Sequence, residues 1–69
     1  MIFENLEVGT LFVIHDTWER VQLQAGATYR KVAKWHAREV VSIDGRWQAR
    51  QGAADVRMAA GHPVEPKQA

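Results

Sequence analysis

An Asp-Gly pair at residues 44 and 45 constrains the fold of this chain more than any other feature of its sequence. The pair separates two runs of β-branched and aromatic residues within the stretch REVVSIDGRWQAR. A two-residue type I′ turn needs a positive φ at both central positions, and Asp-Gly is among the pairs that adopt it most readily. The sequence therefore predicts a β-hairpin that turns at Asp44 and Gly45.

The hairpin bears on the preceding stretch ATYRKVAKWHARE, residues 27–39, which fits either a helix or a strand. Its Arg, Lys, Ala and Glu residues are good helix formers. A helix, however, would have to end abruptly near Ala37 without a glycine or proline to stop it. We therefore favour a strand with Tyr29, Ala33 and Ala37 facing inward. Its outward face is a cationic row of Arg30, Lys34, His36 and Arg38. The position of Trp35 stays open between core and surface. Alternation points its side chain inward, whereas its place near the end of the strand favours exposure.

Three further segments show weaker patterns. The N-terminal segment places Phe3 and Leu6 over an edge of the core and leads through Gly9 into TLFVIH, which is apolar throughout, like a strand buried on both faces. The run WERVQLQ alternates and fits a half-exposed strand or one arm of a long loop. Residues 53–60 fit a short helix or a turn followed by a strand over residues 55–58, and we favour the turn and strand.

The length of 69 residues limits the chain to one domain with one core. Because there is no cysteine, disulfides and thiolate metal sites are excluded, and stability must come from packing or self-association. Five short strands with closely spaced turns predict an all-β, partly open SH3-like barrel over residues 1–60, since an open sheet would leave its edges exposed. The tail HPVEPKQA contains both prolines, so we expect residues 61–69 to be flexible and disordered.

The chain resembles the short SH3-like β-barrel proteins of phages, prophages and plasmids, most of which have no assigned function. The residues that carry the resemblance are Phe3, Leu6, Gly9, Phe12, Tyr29, Lys31, Val32, Ala37, Gly45, Asp55 and Val56. The segment from Asp16 to Ala27 is longer than that pattern needs. The resemblance implies an SH3-like fold and an accessory protein of a mobile element, and it implies no chemistry.

Charge and hydropathy bear on location and partners. The start of the chain has no basic region, and its longest apolar run, Leu11 to Ile14, is too short for a signal sequence or a membrane span. We expect a soluble, cytoplasmic protein, and the absence of cysteine agrees with a reducing compartment. The net charge of +1 gives no general attraction to nucleic acid. Residues 28–50 are nevertheless net basic, whereas residues 1–24 are net acidic.

No catalytic or metal-binding pattern is present in the sequence. His15, His36 and His62 are too scattered for a recognised zinc spacing. Ser42 is the one serine and lies in the predicted hairpin, and no cysteine exists to replace it as a nucleophile. The paired carboxylates lie in polar segments that are expected to be solvated, and the glycines form no phosphate-binding motif. We therefore expect no enzyme activity, no cofactor and no metal.

The three tryptophans are the strongest candidates for a binding role. Trp18, Trp35 and Trp47 each lie within two positions of an arginine or lysine. Aromatic rings between cations are used by surfaces that bind single-stranded nucleic acid, where the rings stack on bases. The alternative is that a small barrel needs bulky side chains to fill its interior. We assign Trp47 to the core and leave Trp18 and Trp35 open between core and surface.

Tryptophan and arginine also anchor protein interfaces, which fits a near-neutral barrel equally well. Our leading hypothesis is a non-enzymatic interaction module that binds a protein partner. The alternatives are single-stranded nucleic-acid binding and an assembly role through homo-oligomerisation. The candidate binding residues are Trp18, Arg30, Lys34, Trp35, His36, Arg38 and Arg46.

Overall fold

A computed structural model describes residues 1–16 and 23–67 of the chain. Its elements are a 3-10 helix (Phe3–Asn5) and strands β1 (Leu11–Val13), β2 (Thr28–Ala33), β3 (His36–Ile43), β4 (Arg46–Ala49), β5 (Val56–Arg57) and β6 (Glu65–Pro66). The predicted all-β class is confirmed. The strand β5 also confirms the turn-and-strand interpretation of residues 53–60 over the helix.

The strands form one antiparallel sheet in the order β4-β3-β2-β1-β6, and β5 pairs with the start of β3. The described residues thus contribute six strands, where the sequence predicted five. The sheet is not closed, since β4 and β6 stand at the two ends of the order. The partly open SH3-like barrel therefore remains a prediction. The alternating segment WERVQLQ falls largely on residues 17–22 and lies outside the described part of the chain.

The predicted Asp-Gly hairpin is confirmed. Asp44 and Gly45 both adopt positive φ, 52° and 79°, as a type I′ turn requires. The turn sets the register of β3 against β4, in which Ile43 pairs with Arg46 and Ser42 with Trp47. This register decides which face of the sheet each β4 side chain occupies.

The stretch of residues 27–39 forms a second hairpin, so the strand conformation favoured over the helix is confirmed, but the single continuous strand was wrong. Strand β2 ends at Ala33, residues Lys34 and Trp35 form the turn, and His36 begins β3 directly opposite Ala33. Among the described residues, Asp44 is the one non-glycine residue with a positive φ. Lys34 and Trp35 therefore both have a negative φ. A turn of this kind needs no glycine, so no glycine or proline marks it along the chain.

The core lies on one face of the sheet and is centred on stacked aromatic rings. Phe12 packs edge-on against Phe3 and is stacked on Tyr29, with ring centroids 5.7 Å and 5.8 Å apart. The predicted burial of Phe3, Leu6, Tyr29 and Ala37 is confirmed. The cluster contains Phe3, Leu6, Phe12, Ile14, Leu23, Tyr29, Ala37, Met58 and Val64.

Ala33 was expected to face inward and is exposed. The register of β2 against β3 shifts between Lys31 and Ala33, which interrupts the side-chain alternation there. Because the strand also ends at this residue, Ala33 is carried out of the core.

Lys31 is a charged residue inside the protein, only 3% exposed. Its ammonium group donates hydrogen bonds to the carbonyl oxygens of Phe3 (3.0 Å) and Leu6 (2.8 Å) and lies 4.5 Å from the Phe3 ring centroid. Its backbone carbonyl accepts a hydrogen bond from Gly9. Lys31 therefore fixes the N-terminal segment onto β2.

The C-terminal segment, expected to be a flexible tail from residue 61, packs onto the sheet through Lys67. His62 and Val64 are buried, the Val64 amide donates to the Met1 carbonyl (2.9 Å), and the Lys67 amide donates to Leu11 (2.9 Å). A proline removes an amide donor and is tolerated at a sheet edge, and Pro66 lies in the outermost strand β6. The domain boundary predicted after residue 60 is therefore corrected for residues 61–67.

Candidate binding surface

The face of the sheet opposite the core carries its own cluster of apolar and cationic side chains. Residues directly opposite each other on neighbouring strands share a face. In the register of β1, β2 and β3, Leu11, Arg30 and Arg38 form one such row. The adjacent row consists of Val13, Thr28 and Val40.

Three residues on this face are buried although they lie outside the main aromatic core. Leu11, Thr28 and Val40 are each less than 8% exposed, and none of them belongs to the core cluster. Long side chains of neighbouring strands cover this region, as the contacts of Trp47 and Lys67 show below. We call the whole group the outer patch: Leu11, Thr28, Arg30, Arg38, Val40, Trp47 and Lys67.

Trp47 lies in the outer patch, so its assignment to the core was wrong. It pairs with Ser42 and is half-buried. The Lys67 ammonium group lies 4.7 Å from the centroid of its ring and donates to the Thr28 hydroxyl at 3.2 Å. The Arg30 guanidinium donates to the Trp47 carbonyl oxygen at 3.4 Å. One cation thus lies against the Trp47 ring and a second bonds the Trp47 backbone.

Arg38 lies opposite Arg30, an arrangement in which like charges repel. The Arg38 guanidinium forms a salt bridge with Asp55 (Nε to Oδ1, 2.8 Å), and both side chains are about two-fifths exposed. Exposed pairs of this kind stabilise a fold little. Asp55 nevertheless offsets the charge of Arg38 beside Arg30.

The structure divides the predicted binding residues among several places. Arg30 and Arg38 lie together in the outer patch. Arg46 is adjacent to Trp47 in β4 and so points to the opposite side of the sheet. Lys34 and Trp35 form the β2–β3 turn, where the Lys34 ammonium group lies 5.0 Å from the Trp35 ring centroid.

His36 begins β3 opposite Arg57 and is half-buried. Trp18 lies outside the described residues. The predicted single cationic row is therefore not present, because the turn at residues 34 and 35 breaks it.

Among the aromatic and cationic members of the outer patch, sequence reasoning missed two, Trp47 and Lys67. Trp47 could have been placed correctly, since the predicted Asp-Gly turn sets it opposite Ser42, a polar residue that points outward. Lys67 gave no signal, because its position depends on the pairing of β6 with β1.

A separate cleft of about 350 Å³ opens beside the β2–β3 turn. Its walls are Trp35, Arg57, Met58, Ala59 and Ala60. The Met58 amide donates to the Trp35 carbonyl oxygen at 2.8 Å, which joins the two sides. We call this feature the Trp35 cleft.

His15 and His62 each interact with a nearby acidic residue. His15 Nε2 lies 2.9 Å from Glu65 Oε2 and links the end of β1 to β6. Burial lowers the pKa of His62 below its usual value of 6.5, and the charge of Asp16 partly opposes that effect.

Within residues 1–16 and 23–67, no group of three His, Cys, Asp or Glu side chains is placed to hold a metal ion. No helix in the same residues is long and apolar enough to cross a membrane.

Comparison of the chain with protein-family models, with curated proteins and with solved structures found no match. We therefore infer function from the geometry of the described residues.

Proposed function

We propose that the chain is a small, non-enzymatic module that binds a protein partner through the outer patch. The observation that carries the proposal is Trp47, which is half-buried on the face opposite the core, with Lys67 against its ring and Arg30 bonded to its backbone carbonyl. Tryptophan and arginine are the residues that contribute most to protein interfaces when they are held in one position. The sheet and the two cations hold Trp47 in that way.

The chemistry of the outer patch favours a protein over a single-stranded nucleic acid. Nucleic-acid surfaces of that kind need an aromatic face open to bases and cations available to phosphates. Here Lys67 already lies against the Trp47 ring, and Asp55 is paired with Arg38. The partly exposed members Trp47 and Arg30 are also of residue types that are enriched in protein interfaces.

Nucleic-acid binding is the second candidate, because Arg30 and Arg38 lie directly opposite each other with Lys67 nearby. Three cations on one face suffice to attract a phosphate backbone at low salt. The resemblance to SH3-like proteins of mobile elements supports a cytoplasmic accessory role and a barrel fold. The antiparallel succession β1 to β4, with β6 paired to β1, fits such a fold.

Affinity capture from bacterial lysate with matched variants tests the main proposal. We expect a partner to be retained by the wild-type chain and by Arg46→Glu, which changes the same charge on the other side of β4. Trp47→Ala and Arg30→Glu should lose that partner. Circular dichroism must first show that all four chains are folded. Equal recovery by all of them, or recovery of nothing, would contradict the proposal.

Titration with a single-stranded oligonucleotide tests the second candidate. Binding that saturates, falls steeply as salt rises and is lost in Arg30→Glu would replace the protein proposal with nucleic-acid recognition. Sedimentation at two concentrations tests the third role. A dimer that dissociates in Trp47→Ala would instead identify a second copy of the chain as the occupant of the outer patch.

A further inference from the structure

The Trp35 cleft is small. Pockets that enclose drug-sized molecules range from roughly 300 to 1,000 Å³, and the cleft is at the lower end with about 350 Å³. Its alanines, Ala59 and Ala60, keep the space between Trp35 and Met58 open. An apolar or aromatic side chain fits these walls.

The walls are held by the sheet and do not need a ligand to form. Arg57 pairs with His36 across β5 and β3, and the Met58 amide is bound to the Trp35 carbonyl. The Met58 side chain is buried in the main core. Folding therefore orders these walls before a ligand binds, so binding requires little further loss of conformational entropy there.

The charge around the cleft is positive. Arg57 lines it, and Lys34 lies against the Trp35 ring. Among the described residues, neither cation takes part in a salt bridge, and the neighbouring Asp55 is paired with Arg38. The cleft thus offers two cations beside an apolar wall.

We propose that the Trp35 cleft binds the carboxy-terminal residue of a partner peptide, with an apolar or aromatic side chain against Trp35. The terminal carboxylate then lies beside Arg57, whose fork of donors matches a carboxylate, and beside Lys34. A terminal residue is the simplest occupant, because it brings an apolar side chain and a carboxylate into a space for one residue. The identity of the occupant as a protein rests on the proposed function.

Three short peptides test the inference against an ¹⁵N-labelled chain by NMR. They are acetyl-Gly-Gly-Phe with a free carboxylate, the same peptide as its amide, and acetyl-Gly-Gly-Gly with a free carboxylate. The first should shift the Trp35 indole and the Met58 and Ala60 amides, with a Kd on the order of 1 mM. The other two should bind roughly fivefold more weakly, as expected for the loss of one exposed ion pair or of the apolar contact.

Arg57→Gln should remove the preference for the carboxylate over the amide, whereas Arg46→Gln, an exposed arginine away from the cleft, should keep it. Equal binding of acid and amide by the wild-type chain would overturn the inference. So would the absence of shifts, or shifts confined to the outer patch around Trp47. Because the peptides report on Trp35, their failure together with Trp47-dependent capture would leave the proposed function intact.

Discussion

Two neighbouring cations on β2 show how the faces of this sheet differ. Lys31 points into the protein and makes two hydrogen bonds to carbonyl oxygens, and it is 3% exposed. Arg30 points to the outer patch, is half-buried and makes one long contact, with the Trp47 carbonyl. The charges are equal and the positions adjacent. Because it is buried and hydrogen-bonded, Lys31 stabilises the fold. Arg30 is less buried and makes fewer contacts, so its guanidinium is available to a partner.

The aromatic residues divide in the same way. Phe12 is fully buried between Phe3 and Tyr29. Trp47, although larger, is half-buried, and a cation rests on its ring. The size of an aromatic side chain therefore did not decide its place, and the register of its strand did.

The largest expected effect is on the core side. Phe12→Ala should lower the free energy of unfolding by about 3–5 kcal/mol, because it opens a cavity between two rings. A domain of this length has a total stability of only about 3–10 kcal/mol. Urea denaturation followed by circular dichroism measures the change. A loss below about 1 kcal/mol would mean that the ring pair is not the centre of the core.

Lys31→Met should come next, with a loss of about 1–3 kcal/mol, since the Leu6 and Phe3 carbonyls lose a charged donor. The same denaturation experiment measures it. Lys34→Met is the matched control and should change stability by less than about 0.5 kcal/mol, because Lys34 is exposed. An equal loss of stability in the two variants would contradict the distinction between the buried Lys31 and the exposed cations.

Trp47→Ala should lower stability by only about 1 kcal/mol, the size expected for an exposed contact between a cation and a ring with some lost packing. It should nevertheless abolish partner capture. The exposed neighbour Gln48 supplies the control, as Gln48→Ala should affect neither property. A stability loss equal to that of Phe12→Ala would indicate instead that Trp47 belongs to the core.

The smallest effect concerns the titration of Tyr29. Burial raises the pKa of this phenol above its usual 10.0, the charge of Glu39 adds to the shift, and the Gln24 amide and Arg50 oppose it. A pKa raised by folding contributes stability that is complete below pH 10 and is lost as the pH rises through the folded value.

Tyr29 is the one tyrosine in the chain, so tyrosinate absorbance reports it directly. The midpoint should be higher in the folded chain than in the same chain in denaturant. Equal midpoints would show that Tyr29 is accessible to water, and would remove one member of the buried face.

Local patterns predicted the parts of the fold that depend on few residues. Asp44 and Gly45 predicted their own turn, because only a few residue types accept the backbone angles it needs. The apolar run before His15 predicted a buried strand. The Lys34–Trp35 turn was missed because it uses ordinary angles, and without it the alternation through Ala33 was assigned incorrectly.

The candidate site was predictable only in part. Arg30 and Arg38 were expected on one outward face, and the structure brings them together. Trp47 was missed although the Asp44–Gly45 turn sets its register against Ser42, and Lys67 was missed because its position depends on the pairing of β6 with β1. The outer patch joins β2, β4 and the C-terminal segment, which lie far apart along the chain.

The sequence by itself determined that this chain is an all-β domain with an Asp-Gly hairpin and an aromatic core. Those properties follow from residue preferences and apolar patterns that act over a few positions. Only the tertiary structure decided that Lys31 is buried, that residues 62–67 join the sheet and that Lys67 lies against the Trp47 ring. Each of these depends on hydrogen bonds between distant segments, whose register no short stretch of sequence specifies.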